Sequence, residues 1–531
     1  MPIPYQAELN IQWLHGIHKG CKIRAMNTED ELTKSKKPTS ICIVGSGTAG
    51  LLAAIILRKA FPHSVITVVS SSQIGIIGVG EGSTEHWKQF MELCDIPLEE
   101  MLVATSATHK YGIRYENWTT HTPDYFHSVG QIDDIYAFGL FGTYMGWVEQ
   151  GKLFTTQTSS VGLVRDKISR EHLHKATNQF HFDTNKLNEY FMSIAFNRGV
   201  KFVDGIVETI QLNPENGTIE SVTTKSQDTV TADFWFDASG FNRVLMTKLD
   251  ANDWVSFDNH LLCDTAIPFP TESDPNGRIR PYTRARAASA GWMWEIPTQE
   301  RRGNGYVFSS RFISQDEAVH EAEEMSGYKI DNPRVINFNA GYLKNTWVKN
   351  CCAIGLASSF VEPLEATSIS STIQQIKYIV PYLASYKPAN TASQKHYNNG
   401  FTKVMRNILT MIRLHYYSDR KDTPFWQAMS NMPINEELQN LIDLWSERPP
   451  SRYDFESTSG ELFGAPHLAH VGQGQGIISS EGCSLALDSL GIREAVFNQI
   501  DEYRHSRHAG ELVDHAAALR EISSIDNEWI Q

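Results

Sequence analysis

No stretch of this chain strings together 18 apolar residues, so no segment is built to cross a membrane as a helix. No block of like charge occurs either. The net charge of −14, from 47 basic and 61 acidic residues, is spread along the chain and argues against nucleic acid as the main partner. Cysteine is sparse: seven in 531 residues, none in a CxxC pair, with only Cys351 and Cys352 adjacent. That argues against a disulfide framework and a zinc site, and points to a reducing cytoplasm. Residues 1–38 lack the apolar core of a signal peptide, and their polar stretch NTEDELTKSKKPTS reads as an extension ahead of the fold.

Against these absences stand 41% apolar and 11% aromatic residues, enough for a large core in one elaborated domain or in two or three. The first strong pattern is SICIVGSGTAGLLAAIILRKAF. Ile41–Val44 is an apolar, β-branched run suited to a buried parallel strand. Gly45, Gly47 and Gly50 then punctuate a turn that contains Thr48 and Ala49 and opens a helix, and SVITVVS supplies a second strand. Glycine lets the backbone turn sharply and approach a pyrophosphate, while the helix N-terminus offers free N–H groups and the positive end of its dipole. The acidic residue expected at the end of the second strand is missing; Ser70, Ser71 and Ser72 stand there instead.

Two later segments resemble returns of the chain beside that first strand. ADFWFDASGF places Asp237 and Gly240 after an apolar strand, and NCCAIGLASSF places Gly355 after another. Before the first of them, VETIQLNPENGTIESVTT reads as a hairpin with an Asn-Gly turn. No second GxGxxG follows, so these returns fit FAD better than NAD. The expected fold class is α/β, an FAD-binding Rossmann-like module of the flavin monooxygenase type. It occupies residues 39–430 with an inserted substrate-binding region, and a mostly helical cap covers 431–531.

GWMWEIP, residues 291–297, puts Trp292 and Trp294 on one face of a strand and Met293 on the other, with Pro297 at its end. Core packing accounts for two such indoles, and so does a rigid wall. GWxWxIP is also the point at which the chain resembles the flavin-dependent halogenases, the group that includes the tryptophan halogenases. IGVGEGST (77–84), with Gly80 and Glu81, resembles that family's flavin strap, Gly82 replacing an Ala. HFDTNKLNEYF, GYVFSSRFISQDEAVHEA, SSFVEPLEATSI and DTPFW resemble further family segments.

The resemblance implies an enzyme that uses reduced FAD from a separate flavin reductase, oxygen and a halide ion. Hypohalous acid is formed and an electron-rich aromatic ring is halogenated. It implies that Lys110 carries the halogen, that Glu365 assists, and that Thr367 and Ser368 hold the halide. Trp292 and Trp294 would keep substrate off the flavin, and His127 would line the substrate pocket. Glu362 is the nearby alternative to Glu365 in the assisting role. Read without the family, Lys110 is a strand lysine facing solvent, Glu365 a helix-start charge, and His127 a structural histidine. The alternation from Lys110 to Tyr115 predicts one strand.

The chain departs from the family at Ala366 and Ser368, where Ser and Gly are usual, which bears on halide preference and favours bromide or iodide. Near the C-terminus LFGAPHLAHVGQGQGIISSEG lacks the aromatics that grip free tryptophan, and Val129 replaces a pocket Phe. The expected substrate is a small indole, phenol or aniline-type ring, either free or carrier-bound, and a homo-oligomer is compatible with the reading. Two other readings are a single-component flavin hydroxylase, whose relatives lack GWxWxIP, and a flavin-binding pseudoenzyme.

Overall fold

The computed structural model describes residues 38–75, 81–122, 124–128, 136–137, 139–153, 167–169, 179–386, 391–454, 461–506 and 512–525. Gly80, Val129 and the N-terminal extension lie outside them.

The apolar run at the start of the described chain forms the strand Ser40–Val44, at the centre of a six-stranded sheet. Val65–Ser70 and Phe234–Asp237 flank it in parallel, as the two β-rich segments predict. Lys201–Asp204 and Cys351–Ala353 extend the sheet in parallel on either side, and Trp347–Val348 closes one edge antiparallel. Strand alternation divides the side chains between two cores. Ile41 and Ile43 pack with the helices Thr48–Ala60 and Thr367–Ala384, whereas Cys42 and Val44 pack with the hairpin strands Val207–Leu212 and Ile219–Thr224.

The glycine turn is shaped by contact. Gly45 has φ +112°, and a Cβ there would lie 2.3 Å from the Ala238 carbonyl oxygen. A Cβ on Gly50 would lie 2.0 Å from the Gly45 carbonyl oxygen. These glycines let the helix meet the strand ends with no side chain between.

A second sheet of seven strands runs in the order Ile336–Asn337, Thr265–Glu272, Arg301–Phe308, Gly291–Pro297, Thr283–Ala287, Gly112–Glu116, Asp124–Ser128. Its strands are antiparallel except for the pairing of Thr283–Ala287 with Gly112–Glu116. A small sheet joins Glu81–Gly82, Gln179–Phe182 and Thr108–Lys110. The single strand predicted through Lys110 and Tyr115 is therefore two. The Tyr111 N–H donates to Pro281 O at 2.7 Å, and the chain crosses there from the small sheet to the large one.

The C-terminal helices Glu436–Glu447, Ala465–Gly474, Ser480–Ser489 and Arg493–Ser506 share the core of the seven-stranded sheet. The helices Ser480–Ser489 and Arg493–Ser506 are separate, and Gly491 takes φ +63° between them. Leu512–Asp514 then pairs with Lys167–Ser169, and the following helix contributes Ala518 and Ile522 to the core of the six-stranded sheet. The six described cysteines are free and buried. Among the described residues no helix is long and apolar enough to cross a membrane.

Gly50→Ala forces a methyl into backbone that cannot yield without moving the strand ends. The expected loss of stability is about 2 kcal/mol, read from urea unfolding.

Candidate functional site

Three turns converge at the C-terminal ends of the central parallel strands: Gly45–Gly50, the turn at Gly240 (φ +69°) and the turn at Gly355 (φ +59°). Gly355 lies against Ala49, and Thr48 Oγ1 donates to Asn188 Oδ1 at 3.1 Å. The helix N-cap is Gly47, which brings no side chain to the first-turn N–H groups, and a Cβ on Gly47 or Gly240 would project into open space. Asn188 Nδ2 is buried with no protein partner among the described residues. An open, donor-rich helix start beside an unpaired amide fits the diphosphate of a dinucleotide. Gly45, Gly47, Thr48, Ala49, Gly50, Gly240 and Gly355 would hold it.

Asp237 does a different job from a direct ligand. Its buried carboxylate accepts from the backbone N–H groups of Ser239, Leu245 and Met246 and from the Ser239 hydroxyl, which fixes the turn. Ser72 N–H and Oγ–H donate to Asp204 at 2.8 and 2.9 Å. An acidic group thus reaches the serine turn from the end of the neighbouring strand. Only strand pairing reveals it, because Asp204 lies far from the glycine motif in sequence.

Lys110 ends its short strand buried, at 1% exposure, with Nζ donating to the Ser83 carbonyl at 3.0 Å. Burial lowers its pKa to about 8, with the Glu365 charge opposing the shift. A Cβ on Gly82 would lie 3.3 Å from Lys110 Nζ and 3.6 Å from the Ala366 methyl. The strap segment, the lysine and the FVEPLEA turn therefore face one another. The solvated reading of Lys110 does not hold.

Glu365 (φ 68°) and Ala366 (φ 52°) are consecutive left-handed residues just before the helix Thr367–Ala384. Each costs about 1–2 kcal/mol in a non-glycine residue. The turn aims the Glu365 carboxylate inward. His127 Nδ1 and His415 Nε2 lie 2.7 and 2.9 Å from it, and the Tyr115 hydroxyl donates to it. Burial opposes ionisation, but the two imidazoles outweigh it and hold the carboxyl well below its usual range. Tyr115 stacks on His415 with ring centroids 4.2 Å apart. The family resemblance pointed to Glu365 and His127 but gave no sign of Tyr115 or His415 as their partners.

Thr367 and Ser368 begin the helix in right-handed torsions. Replacing glycine by Ser368 therefore strains nothing, and the strain sits one and two residues earlier. Thr367 is buried and Ser368 exposed, and both border a narrow crevice with Gly355, Ser371 and Phe360.

The two tryptophans share a face, with ring centroids 6.1 Å apart, and Met293 packs into a different cluster. Trp294 lies across Gly305, where an added Cβ would come within 2.1 Å of the indole. Trp292 Nε1 donates to Glu362 at 2.7 Å, and the Tyr416 hydroxyl donates to the same oxygen at 2.6 Å. Burial raises the Glu362 pKa to about 7, with those two bonds partly offsetting the shift.

A carboxyl raised from 4.5 to about 7 stabilises the fold below pH 4.5, and that contribution is lost as pH rises to 7. Glu362→Gln keeps an oxygen for both donors and removes the titration. The variant should therefore exceed the native protein in stability by roughly 3 kcal/mol at pH 8, with little difference near pH 4.5, as read by urea unfolding at both pH values.

A sequence model described as tryptophan halogenase matches residues 40–487. The tryptophan 7-halogenase RebH of Lentzea aerocolonigenes is 32% identical over 439 residues, 77% of this chain and 82% of that protein. The tryptophan 6-halogenase SttH of Streptomyces toxytricini is 29% identical over 477 residues, 82% and 89% of the two chains. The solved structure of the latter superimposes with a TM-score of 0.83 at 26% identity, over 92% of this chain and all of that one. Xcc4156, a flavin-dependent halogenase of Xanthomonas campestris, gives 0.79 at 27% identity over 92% and 99%. With the strap, the lysine and the FVEPLEA turn assembled at the end of a dinucleotide-type sheet, this chain belongs to the tryptophan halogenase family.

Proposed function

We propose that this protein halogenates an electron-rich aromatic ring, using FAD reduced by a separate flavin reductase, oxygen and a halide ion. The observation that carries the reading is the buried Lys110 amine facing Ala366 across Gly82, with the anionic Glu365 close enough to oppose the fall in its pKa. Reduced FAD, when bound, supplies the oxygen activation that turns halide into hypohalous acid.

The chain's own residues then do four things. The glycine turns and the strap bind the cofactor. Thr367 and Ser368 offer first-turn N–H groups to the halide. Lys110, near neutrality in pKa, is an amine that hydrogen-bonds or covalently carries the electrophilic halogen. Glu365 polarises that oxidant and takes the ring proton as a general base. Trp292, Trp294 and the strand that carries them exclude the ring from the flavin.

The ring we propose is a small indole, phenol or aniline rather than free tryptophan. Helix Ala465–Gly474 brings His467, not an aromatic grip, to His127. Bromide or iodide should be used ahead of chloride, being easier to oxidise at a site altered at Ala366 and Ser368.

The test supplies FAD, a flavin reductase, NADH, oxygen and sodium bromide, with indole and a phenol as probes, and reads products by mass spectrometry. The expected product carries the two-isotope bromine pattern and is lost in Lys110→Ala, which still binds FAD. A native enzyme that binds and reoxidises flavin yet brominates neither probe would overturn the reading, as would a Lys110→Ala variant with native activity.

A further inference from the structure

We infer that His467 and Glu85 form a proton exit from Glu365, reached through His127, which links loss of the ring proton to release at the surface. The inference rests on the halogenation reading above. Its geometry is a line of groups from four separate parts of the chain. Glu365 is buried, and His127 Nδ1 lies 2.7 Å from its Oε2. The other nitrogen of His127 lies 2.9 Å from His467 Nδ1. His467 Nε2 lies 3.7 Å from Glu85 Oε1, and the Glu85 side chain is 39% exposed. Both nitrogens of each imidazole are thus engaged in one direction of travel, from a carboxylate without solvent to one that meets it.

A merely structural histidine needs a partner for its N–H and has no need to span between two carboxylates. Here two carboxylates bracket two imidazoles, and burial lowers the His127 pKa with Glu365 opposing the shift. Burial works against ionisation at Glu85, but the His467 imidazole brings its pKa down to about 2. Burial works against protonation at His467, and Glu85 and Glu365 together raise its pKa regardless. The other titratable groups around the line are His470 beside His127, His86 beside Glu85, and His415 and Lys110 on the far side of Glu365.

The step balances without an oxidant or reductant. At the halogenated ring carbon the C–H bond breaks, its electron pair restores the aromatic ring, and the proton goes to the Glu365 carboxylate. Glu365 returns to the carboxylate as its proton passes to His127 Nδ1, the His127 Nε2 proton passes to His467 Nδ1, and the His467 Nε2 proton leaves for Glu85 and solvent. One proton enters at Glu365 and one leaves at Glu85. His467 and Glu85 are positioning residues that act through His127, and neither touches the reacting ring.

The experiment uses the full-length native holoenzyme with reductase, bromide, and indole or ring-deuterated indole. In the native enzyme the exit keeps C–H cleavage fast, and the two indoles react at equal rates. His467→Gln should retain FAD, lose about tenfold in kcat and show a normal substrate deuterium isotope effect, and added imidazole should restore the rate. Glu85→Gln, at a half-exposed position, should show the same isotope effect with a smaller loss, which keeps the test valid if His467→Gln does not fold. Native rate and isotope behaviour in both variants would overturn the exit, and so would a slower reaction with no isotope effect and no imidazole rescue. A native enzyme that makes no bromide-dependent product overturns the halogenation reading itself, a result distinguishable from these.

Discussion

A carboxylate held anionic without solvent is the constraint on which the rest of this site depends. Removing a charge from water costs several kcal/mol unless donors replace the water. Glu365 recovers that cost from Tyr115, His127 and His415, which lie on Gly112–Glu116, on Asp124–Ser128 and at the end of the helix Thr391–His415. Each donor belongs to a different element, so the carboxylate ties the edge of the seven-stranded sheet and a long helix to one turn of the FAD-type module. The two left-handed residues of that turn are tolerated because the network over-determines them.

Three residues earlier, Glu362 shows how far environment decides chemistry. It is as buried as Glu365, but its two side-chain donors among the described residues are an indole N–H and a phenol rather than imidazoles. The His127 and His415 imidazoles at Glu365 lower a carboxyl pKa more than an indole N–H and a phenol do at Glu362. One carboxyl therefore sits far below its usual pKa and the other near neutrality. Glu365 is placed for charge and proton chemistry. Glu362 holds the Trp292 indole in position, and does so whether or not it is ionised.

What the sequence made legible is what local patterns encode. The glycine turn, its flanking strands, the Asn-Gly hairpin and the shared face of Trp292 and Trp294 all follow from residues close in the chain. The break at Tyr111 was not legible, because alternation continues through it and only the hydrogen bond to Pro281 reveals the change of sheet. His415 and His467 were equally invisible, standing in helices whose apolar spacing explains them without a site, as was Tyr416 in the turn just after His415. Asp204 emerges only once its strand is paired to Val65–Ser70. Partners distant in sequence leave no periodicity to read, and the most consequential contacts of the site are of that kind.

The register of the seven-stranded sheet joins the two halves of the site. One cross-strand row runs Tyr125, Tyr115, Ala285, Trp294, Gly305, and the next includes Ala287, Trp292 and Val307. Ala285 and Gly305 flank Trp294 with little or no side chain, which is what lets its indole lie down across the sheet. Tyr115, the donor to Glu365, belongs to that same row. A slip of one residue in the Gly291–Pro297 strand would turn both indoles to the face where Met293 packs and bring Met293 round to face Glu362. The indoles and the Glu365 donor set are therefore specified together, by one choice of pairing. This is why the core-packing and wall readings of GWMWEIP describe the same residues: close packing in that row is what makes the surface rigid.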